Sequence, residues 1–339
     1  MLAFQPGPTH TCIIGGNAQG KTSILEAICV LLRLQSPRTS NIGDLIKVGH
    51  DAFSLSGHVG DNHLLYRHTK EKPGRSIFLD SKLQSKSDDY LATARITWFA
   101  NSDLELVQGS GSVRRRFLDF LGIQSVPGYR KAHRDYERTL RSRNALLKEN
   151  RPRREIAAFD APLVEAGNFL LEARARLLGS IAPLASRACS EISASADMLE
   201  MTYRPGCAFP FAESLAGSSE EEVRLRQTVC GPHRDDFDVS LNGMKASSFA
   251  SEGQQRSIAL ALKIAQARHL ESLHGQPPIL LMDDIFGELD THRRNFLLNT
   301  LPQGAQTIIT TTFLDWADQA NLDAIYRLSE TRLTKVSGL

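Results

Sequence analysis

The sequence predicts an α/β protein with a mostly parallel sheet, an antiparallel meander lobe and an inserted helical arm domain. Three observations predict this fold class. A glycine-rich loop at Gly15–Ser23 stands between an apolar strand and an apolar helix. Period-two segments between Asp51 and Leu83 are typical of antiparallel strands. In the last third of the chain, apolar strands alternate with helices, which indicates a parallel sheet covered on both faces.

The composition is that of a soluble globular protein. Of its 339 residues 41% are hydrophobic and 23% charged, and the net charge is only +2, so no overall field demands a nucleic-acid partner. Five scattered cysteines without a CxxC pair favour reduced thiols over disulfides or zinc. The start of the chain does not resemble a secretion signal, and no apolar run approaches the roughly 18 residues of a membrane span. We therefore expect a cytoplasmic location and no membrane partner.

The first hundred residues predict the start of the main sheet. Thr11–Gly15 has the apolar character of a buried strand, and Gly20–Leu34 has apolar residues at helical spacing. Arg95–Phe99 is a second strand candidate, and a short helix is expected at Asp103–Val107. The meander lies between these two parts.

From Ser112 to Ile192 the sequence is helical in texture, with breaks expected at Pro127-Gly128, Pro152, Pro162 and Pro183. Sustained heptads are absent, which predicts a compact arm and not a long coiled coil.

The last third predicts alternating strands and helices. Its expected elements are a strand at Phe237–Leu241 with an Asn242-Gly243 turn, a helix at Gln254–Leu273, and strands at Ile279–Met282 and Thr307–Thr311. The predicted domains are therefore 1–111 and 229–339 as the two parts of a head, and 112–228 as the arm.

The loop at Gly15–Ser23 matches the Walker A pattern G-x4-G-K-T. Glycines let backbone N–H groups converge on phosphates, and the N-terminus of the following helix favours anions. Lys21 is expected to reach the β- and γ-phosphates of ATP and to act in catalysis, and Thr22 is expected to bind Mg²⁺. The predicted nucleotide contacts in this loop are Gly15, Asn17, Gly20, Lys21, Thr22 and Ser23.

The apolar strand Ile279–Met282 delivers two carboxylates, as a Walker B segment does. Asp283 is the expected Mg²⁺ ligand. Asp284 stands where transporter-type heads carry a glutamate that polarises the attacking water, and aspartate is one methylene shorter. We therefore expect slow hydrolysis, with ATP acting as a switch. Asp290 follows Asp283 by seven positions, the spacing of a D-loop, and is expected to contact nucleotide.

Ser251–Gln255 (SEGQQ) resembles the ABC signature, usually written LSGGQ. A serine can cap a helix start, and a glycine lets the backbone approach a γ-phosphate. Ser251, Gly253 and Gln254 are expected to grip the ATP held by another copy of the chain. These elements occur in the order of an ABC-type P-loop ATPase head. Thr310–Thr312 stand where a transport ATPase would show a switch histidine, and no glutamine directly follows Arg95–Phe99, which argues against a fast transport ATPase.

Three further strings resemble the RecF family of bacterial DNA replication and repair proteins. They are NSDLELVQGSGSVRRRFLDF at Asn101–Phe120, LRSRNALLK at Leu140–Lys148 and GPHRDDF at Gly231–Phe237. The resemblance implies an ABC-type head with a helical arm, ATP-dependent dimerisation, binding to gapped or duplex DNA and a slow DNA-stimulated ATPase. It also implies work with RecR and RecO in loading RecA at single-strand gaps.

The arm carries a local excess of positive charge. Gly128–Glu155 holds ten Lys/Arg and four Asp/Glu, a net of +6, as a nucleic-acid face on a nearly neutral protein does. The candidate DNA contacts are Arg114, Arg115, Arg116, Arg130, Lys131, Arg134, Arg138, Arg141 and Arg143. From charge alone, a solvated face is the favoured alternative. His233 and Arg234 belong either to a salt-bridged turn or to a dimer or DNA surface, and the sequence does not decide between these.

Other functions remain open. The chain could be the ATPase head of another SMC-like maintenance or defence system, although structural-maintenance proteins need a much longer arm. It could also be a recruiter whose nucleotide site is vestigial. A transporter ATPase subunit is disfavoured by the absent histidine and by the long insertion before the signature.

Overall fold

The computed structural model describes residues 2–39, 41–71, 74–193, 197–314, 322–330 and 332–336. The strands are β1 His10–Ile14, β2 Ala52–Val59, β3 Asn62–Thr69, β4 Arg75–Leu79, β5 Lys82–Leu83, β6 Ile96–Ala100, β7 Leu199–Arg204, β8 Asp236–Leu241, β9 Met244–Lys245, β10 Ile279–Asp283, β11 Thr307–Thr311, β12 Ala324–Ser329 and β13 Arg332–Val336. The helices are α1 Lys21–Arg33, α2 Asp88–Ala92, α3 Glu105–Gln108, α4 Gly111–Ser125, α5 Tyr129–Lys148, α6 Arg153–Ala157, α7 Asp160–Ser193, α8 Phe211–Gly217, α9 Ser219–Leu225, α10 Ala246–Phe249, α11 Glu252–His274 and α12 Thr291–Thr300.

The chain forms two compact units. The first unit contains residues 1–102 and 270–339, and the second contains residues 103–269. The domain boundaries predicted from the sequence divide the chain at other points and stay a prediction.

The first unit is built on a mostly parallel sheet of six strands in the order β13-β12-β1-β11-β10-β6, in which only β13 pairs antiparallel. All five residues of β11 are buried. Since consecutive side chains of a strand face opposite sides, both sides of the sheet are covered at β11, as predicted. β1 and β10 flank β11, with Ile14 opposite Thr311 and Asp283 opposite Thr310. The segments that follow β1 and β10 therefore emerge at one edge of the sheet.

The predicted meander is confirmed as a four-stranded antiparallel sheet, β2-β3-β4-β5. Helix α1 contacts strands of this sheet and of the six-stranded sheet. A Cβ atom added at Gly57 would lie 3.1 Å from Cδ2 of Leu31, so the missing side chain lets α1 approach β2 closely. The core of the first unit lies around this helix, with Leu25, Cys29 and Val30 fully buried.

The second unit combines helices with a small antiparallel sheet, β7-β8-β9. Helix α7 packs against α4, α5 and β7. The predicted turn at Asn242-Gly243 joins β8 to β9, with φ of 53° and 77°, the left-handed conformation that two-residue hairpin turns require. Strand β7 was not predicted, although Leu199, Met201 and Tyr203 alternate with polar residues.

The predicted helix breaks are half wrong. The chain does break at Pro127-Gly128 and at Pro152, but α7 runs through both Pro162 and Pro183. Pro162 is the third residue of α7, where backbone N–H groups lack helical partners in any case. Pro183 lies in the interior, where a proline costs about 3 kcal/mol. Burial of the α7 face that carries Ile181, Ala185 and Ala188 offsets that cost.

The five cysteines are free thiols, of which Cys12, Cys29 and Cys189 are buried and Cys207 and Cys230 half-buried. Within the described ranges, the helices include none with both the length and the apolar character needed to cross a membrane.

Candidate nucleotide site and arm surface

The segment after β1 has the backbone of a phosphate-binding loop. Ala18 and Gly20 adopt positive φ of 60° and 98°, and α1 begins directly afterwards at Lys21. A Cβ atom at Gly15 would lie 2.7 Å from the carbonyl oxygen of Leu328, so only glycine fits there. The first turn of α1 leaves backbone N–H groups without helical partners. The loop and the helix start therefore form an anion-binding cradle.

Lys21 is folded over this cradle. The residue is only 7% exposed, and Nζ donates hydrogen bonds to the carbonyl oxygens of Gly15 and Gly16 at 2.7 and 2.9 Å. The ammonium group thus sits among the loop's carbonyl dipoles, within reach of any anion that the loop N–H groups bind.

Thr22 joins the loop to the end of β10. Its hydroxyl donates to Oδ1 of Asp283 at 2.9 Å. Thr310 on β11 donates to the same carboxylate oxygen, also at 2.9 Å. Asp283 is therefore oriented by two hydroxyl groups that come from two other parts of the sheet edge.

Asp284 differs from Asp283 in its backbone conformation and in the surroundings of its carboxylate. It adopts φ 51° and ψ 27°, a left-handed conformation that aspartate tolerates better than most residues. Its Oδ1 is buried without a hydrogen-bond partner among the described residues. Burial raises the pKa of Asp284, and the Asp283 carboxylate adds to the rise while the Lys21 ammonium opposes it. Asn101 donates from Nδ2 to the carbonyl oxygen of Asp284 at 3.3 Å.

These residues fit ATP with Mg²⁺. The cradle and Lys21 match a triphosphate. Mg²⁺ is usually bound by one or two protein oxygens together with phosphate oxygens and water, and Thr22 and Asp283 supply a hydroxyl and a carboxylate side by side. Asp284 adds a second carboxylate beside Asp283, and a backbone hydrogen bond from Thr312 to this carboxylate works against the rise of its pKa. Gly15, Asn17, Gly20, Lys21, Thr22, Ser23, Asp283 and Asp284 all lie in the first unit.

The signature residues lie in the second unit and form a capped helix start. The Ser251 hydroxyl accepts from the backbone N–H of Gln254 at 3.3 Å, and Gln254 Oε1 accepts from the N–H of Ser251 at 2.9 Å. This reciprocal pair is a capping box, so the capping role expected of Ser251 is confirmed. Gly253 lies in the first turn of α11.

Gln255 stabilises the segment before the signature, a role that the sequence prediction missed. Its Nε2 donates to the carbonyl oxygens of Ala246 and Ala250 at 3.1 and 3.0 Å, and its Oε1 accepts from Gln108. No local pattern predicts the pairing of Gln108 with Gln255, because 147 residues separate them.

Asp290 is the N-cap of α12. Its Oδ1 accepts from the backbone N–H of Arg293 at 2.8 Å, and its Oδ2 pairs with the Arg293 guanidinium. The carboxylate thus has a structural role here, and the nucleotide contact predicted for it stays a prediction.

Comparison with known proteins identifies the family. A family model described as "AAA domain, putative AbiEii toxin, Type IV TA system" matches residues 11–312. The DNA replication and repair protein RecF of a Synechococcus species is 35% identical over 330 residues, which cover 91% of this chain and 87% of the relative. RecF of Lactobacillus delbrueckii subsp. bulgaricus is 36% identical over 337 residues, which cover 94% and 88%. The chain belongs to the RecF family.

Solved structures agree with the RecF assignment. Two structures of the recombination mediator protein RecF of the RecFOR pathway, one with ATPrS and one with ATP, superpose with a TM-score of 0.86. They are 26% and 27% identical to this chain. The superpositions cover 98% of this chain and 94% and 93% of the two solved chains. An Smc head bound to the C-winged helix domain of ScpA reaches a TM-score of 0.53 at 16% identity, so it shares the fold alone. The predicted ABC-type head is thereby confirmed.

In this RecF-family chain, α5 carries an exposed basic stripe. We use that name for Lys131, Arg134, Arg138, Arg141 and Lys148, which are exposed and recur every three, four or seven residues on one helix face. Asp135 pairs with the first three of these at 3.1 to 3.8 Å, and Glu137 pairs with Arg141. Arg116 of α4 is also exposed, and Arg130 is half-buried.

Three of the arginines predicted to contact DNA are used inside the second unit. Arg143 is fully buried, and its guanidinium donates to Glu222, Asp160 and Thr228. Arg114 forms a bidentate pair with Asp236 at 2.6 and 2.9 Å, and Arg115 donates to the carbonyl oxygen of Asp235 at 2.6 Å. Arg143 has no surface to offer DNA, which corrects the prediction for that residue.

The GPHRDDF segment is a salt-bridged turn at the start of β8. Asp235 is fully buried and accepts from Arg174 at 2.7 Å and from the N–H of Gly206 at 2.7 Å. His233 accepts at Nδ1 from the Tyr136 hydroxyl at 2.7 Å, and its Nε2 donates to the carbonyl oxygen of Thr228 at 3.0 Å. Of the two alternatives, the geometry of His233 favours the structural turn, whereas Arg234 is exposed.

Proposed function

We propose that this chain is an ATP-dependent DNA-binding protein of DNA replication and recombinational repair, which dimerises when ATP binds. The observation that carries the proposal is the meeting of Lys21, Thr22, Asp283 and Asp284 at one edge of the sheet in a chain of the RecF family. Cytoplasmic ATP and Mg²⁺ are the proposed ligands.

The nucleotide would be held by the loop N–H groups and by Lys21, with Thr22 and Asp283 as ligands of Mg²⁺. When bound, Mg²⁺ neutralises charge on the phosphate oxygens. Asp284 is the proposed acceptor that orients the attacking water, since its Oδ1 has no other partner in the described part of the chain. The short aspartate side chain, in place of glutamate, supports slow hydrolysis and a switching role for ATP. Stimulation of this hydrolysis by DNA is inferred from the family alone.

Ser251, Gly253 and Gln254 are proposed to complete the nucleotide site of a second copy. The helix start that they form has N–H groups suited to a γ-phosphate. Light scattering with and without Mg·ATP tests this on wild type, on Ser251→Arg and on Ser180→Arg, a change at an exposed site of α7. We expect the mass to double with Mg·ATP for wild type and Ser180→Arg only. A wild type that binds ATP and stays monomeric would refute the dimer and would favour a recruiter with a vestigial ATPase.

The exposed basic stripe on α5 is the proposed DNA surface, with Arg116 and Arg130 as further contacts. Lysine and arginine side chains on one helix face bind phosphates without reading bases. The proposed targets are single-strand gaps and adjoining duplex, where the protein would work with RecR and RecO to load recombinase.

Salt dependence tests the DNA surface. Changing Lys131, Arg134, Arg138 and Arg141 together to alanine should reduce the slope of log K against log salt by about 3 to 4, because each duplex phosphate contact contributes about 0.9. The matched control changes four exposed arginines of the second unit that lie off the stripe, Arg176, Arg187, Arg204 and Arg224. Equal slopes for both quadruple variants would refute the stripe as the DNA contact.

A further inference from the structure

We propose that Thr310 is a positioning residue for the nucleotide site, whose hydroxyl holds the Asp283 carboxylate ready for the metal. The inference rests on the proposed function, because it takes the site to bind ATP and Mg²⁺. Neither the Walker A nor the Walker B pattern contains this residue.

Thr310 lies at the centre of the sheet edge. It is fully buried on β11, opposite Asp283 of β10 and Ile13 of β1. It therefore stands between the strand that precedes the phosphate-binding loop and the strand that precedes the two carboxylates. A side chain at this position can contact Asp283 directly, because the two residues are paired on adjacent strands.

The hydroxyl of Thr310 donates one short hydrogen bond and accepts another. It donates to Oδ1 of Asp283 at 2.9 Å and accepts from the backbone N–H of Asp284 at 3.1 Å. Its distance to the carbonyl oxygen of Met282 is longer, 3.4 Å. A hydroxyl has one proton and accepts through its lone pairs, so both short bonds form together. Thr310 thus links the two carboxylate residues to one rigid strand.

The bond to Asp283 is the one that matters for the metal. Hydrogen bonds to a charged acceptor are stronger than neutral ones, and groups that orient a metal ligand typically change metal affinity 10- to 100-fold when removed. Thr22, the other donor to Oδ1, is itself a proposed ligand. Thr310 is therefore the donor to Asp283 that has no ligand role of its own and acts only by orienting the carboxylate.

The bond from Asp284 holds the turn after β10. Asp284 adopts its left-handed conformation directly after the strand, and its N–H is shared between the hydroxyl and the carbonyl oxygen of Thr310, each at 3.1 Å. Removing the hydroxyl leaves the carbonyl bond in place. We therefore expect the turn to survive substitution while the Asp283 carboxylate loses its orientation.

The test compares the affinity of full-length protein for ATP in Mg²⁺ and in EDTA by calorimetry. Thr310→Val removes the hydroxyl at similar volume, and Thr310→Ser keeps it. We expect the gain in affinity given by Mg²⁺ to fall at least about tenfold in Thr310→Val, with unchanged affinity in EDTA, and to be restored by Thr310→Ser. The control is Thr307→Val, which removes a buried hydroxyl of the same strand that bonds only to Ala305 in the described structure.

The outcomes separate this inference from the proposed function. A full Mg²⁺ gain in Thr310→Val, or an equal loss in Thr307→Val, would overturn the positioning role. No Mg²⁺ gain in wild type would overturn the proposed function and this inference with it. If Thr310→Val does not fold, the pair Thr310→Ser and Thr310→Ala differs by the hydroxyl alone and gives the same comparison.

Discussion

The hydroxyl of Thr22 donates a hydrogen bond to Oδ1 of Asp283 over 2.9 Å, although 261 residues separate the two in sequence. They meet because β1 and β10 both pair with β11 in parallel, so the carboxyl ends of the strands lie at one edge. A hydroxyl and a carboxylate in contact there form a pair of oxygen ligands that Mg²⁺ can use. The charge of Asp283 is the part of this arrangement that can be removed with the least change of shape.

Asp283→Asn should abolish most of the Mg²⁺ dependence of ATP binding. The amide keeps the shape of the side chain and can still accept from Thr22, but it lacks the negative charge that attracts the cation. We expect at least a tenfold weaker affinity for ATP in Mg²⁺ and little change in EDTA, measured by titration of a fluorescent ATP analogue. Asp51→Asn, on a side chain that is 90% exposed, is the matched control. An unaltered ratio of the two affinities would contradict the assignment of Asp283 to the metal.

Lys21→Ala should weaken ATP binding in Mg²⁺ and in EDTA alike, because the proposed contact of the ammonium group with phosphate oxygens does not pass through the metal. Loss of a charge-assisted contact from a buried ammonium group should weaken binding by at least tenfold. ATP-dependent retention on DNA should be lost with it, which filter binding with and without ATP can measure. Lys47→Ala, at an exposed position of the same unit, should change neither property. Retention that still responds to ATP in Lys21→Ala would exclude this loop as the nucleotide site.

Two arginines on α5 should respond to substitution in opposite ways. Arg143 is fully buried against Glu222, Asp160 and Thr228, so Arg143→Ala leaves a buried carboxylate unpaired and should cost about 3 to 5 kcal/mol of unfolding free energy. Arg141 is exposed, and Arg141→Ala should cost less than about 0.5 kcal/mol. Urea denaturation measures both. Only Arg141→Ala should weaken DNA binding by the folded protein. Similar unfolding free energies for the two variants would contradict the buried ion pair.

The burial of Arg143 could have been predicted from its position on α5. Tyr136, Leu140, Arg143 and Leu147 recur at spacings of four, three and four, and all four are buried. The apolar stripe of α5 therefore contains Arg143, and the helical period separates it from the exposed basic stripe. The net charge of Gly128–Glu155 does not separate buried from exposed lysines and arginines, whereas their positions on the helix do.

Local patterns predicted the parts of the site that are local. The Walker A loop follows from one strand, one loop and one helix in succession, and β10 follows from a short apolar run with acids at its end. Thr310 could not be found in this way. Its partners, Asp283 and Asp284, come from another strand, and only the register of β10 against β11 aligns them. Nor does α7 follow from local propensity, because burial of its apolar face outweighs the cost of Pro183.

Acid should destabilise the second unit through His233. Burial lowers the pKa of His233 from 6.5 to about 4, helped by the charges of Arg234, Arg115 and Arg174 and opposed by its bond to Thr228. The unfolded chain therefore binds the proton first. The contribution of neutral His233 to the unfolding free energy is fully present above pH 6.5 and is lost as pH falls toward 4. At about 1.4 kcal/mol per pKa unit, this contribution is at most about 3 kcal/mol.

His133 should act in the opposite direction. Burial lowers its pKa, but the hydrogen bond and charge of Asp119 outweigh burial and raise it overall. Its contribution is therefore present below the unfolded pKa and is lost as pH rises through the folded pKa. Urea denaturation from pH 7.5 to 4.5 compares wild type with His233→Gln and His133→Gln. Glutamine can accept from Tyr136 and donate to Thr228 as His233 does, but it does not bind a proton. In His233→Gln the unfolding free energy should therefore fall less as the pH is lowered. In His133→Gln the unfolding free energy should fall more as the pH is lowered, because the protonation of His133 that stabilises the folded state is gone. Parallel curves for all three proteins would show that neither histidine governs the acid response.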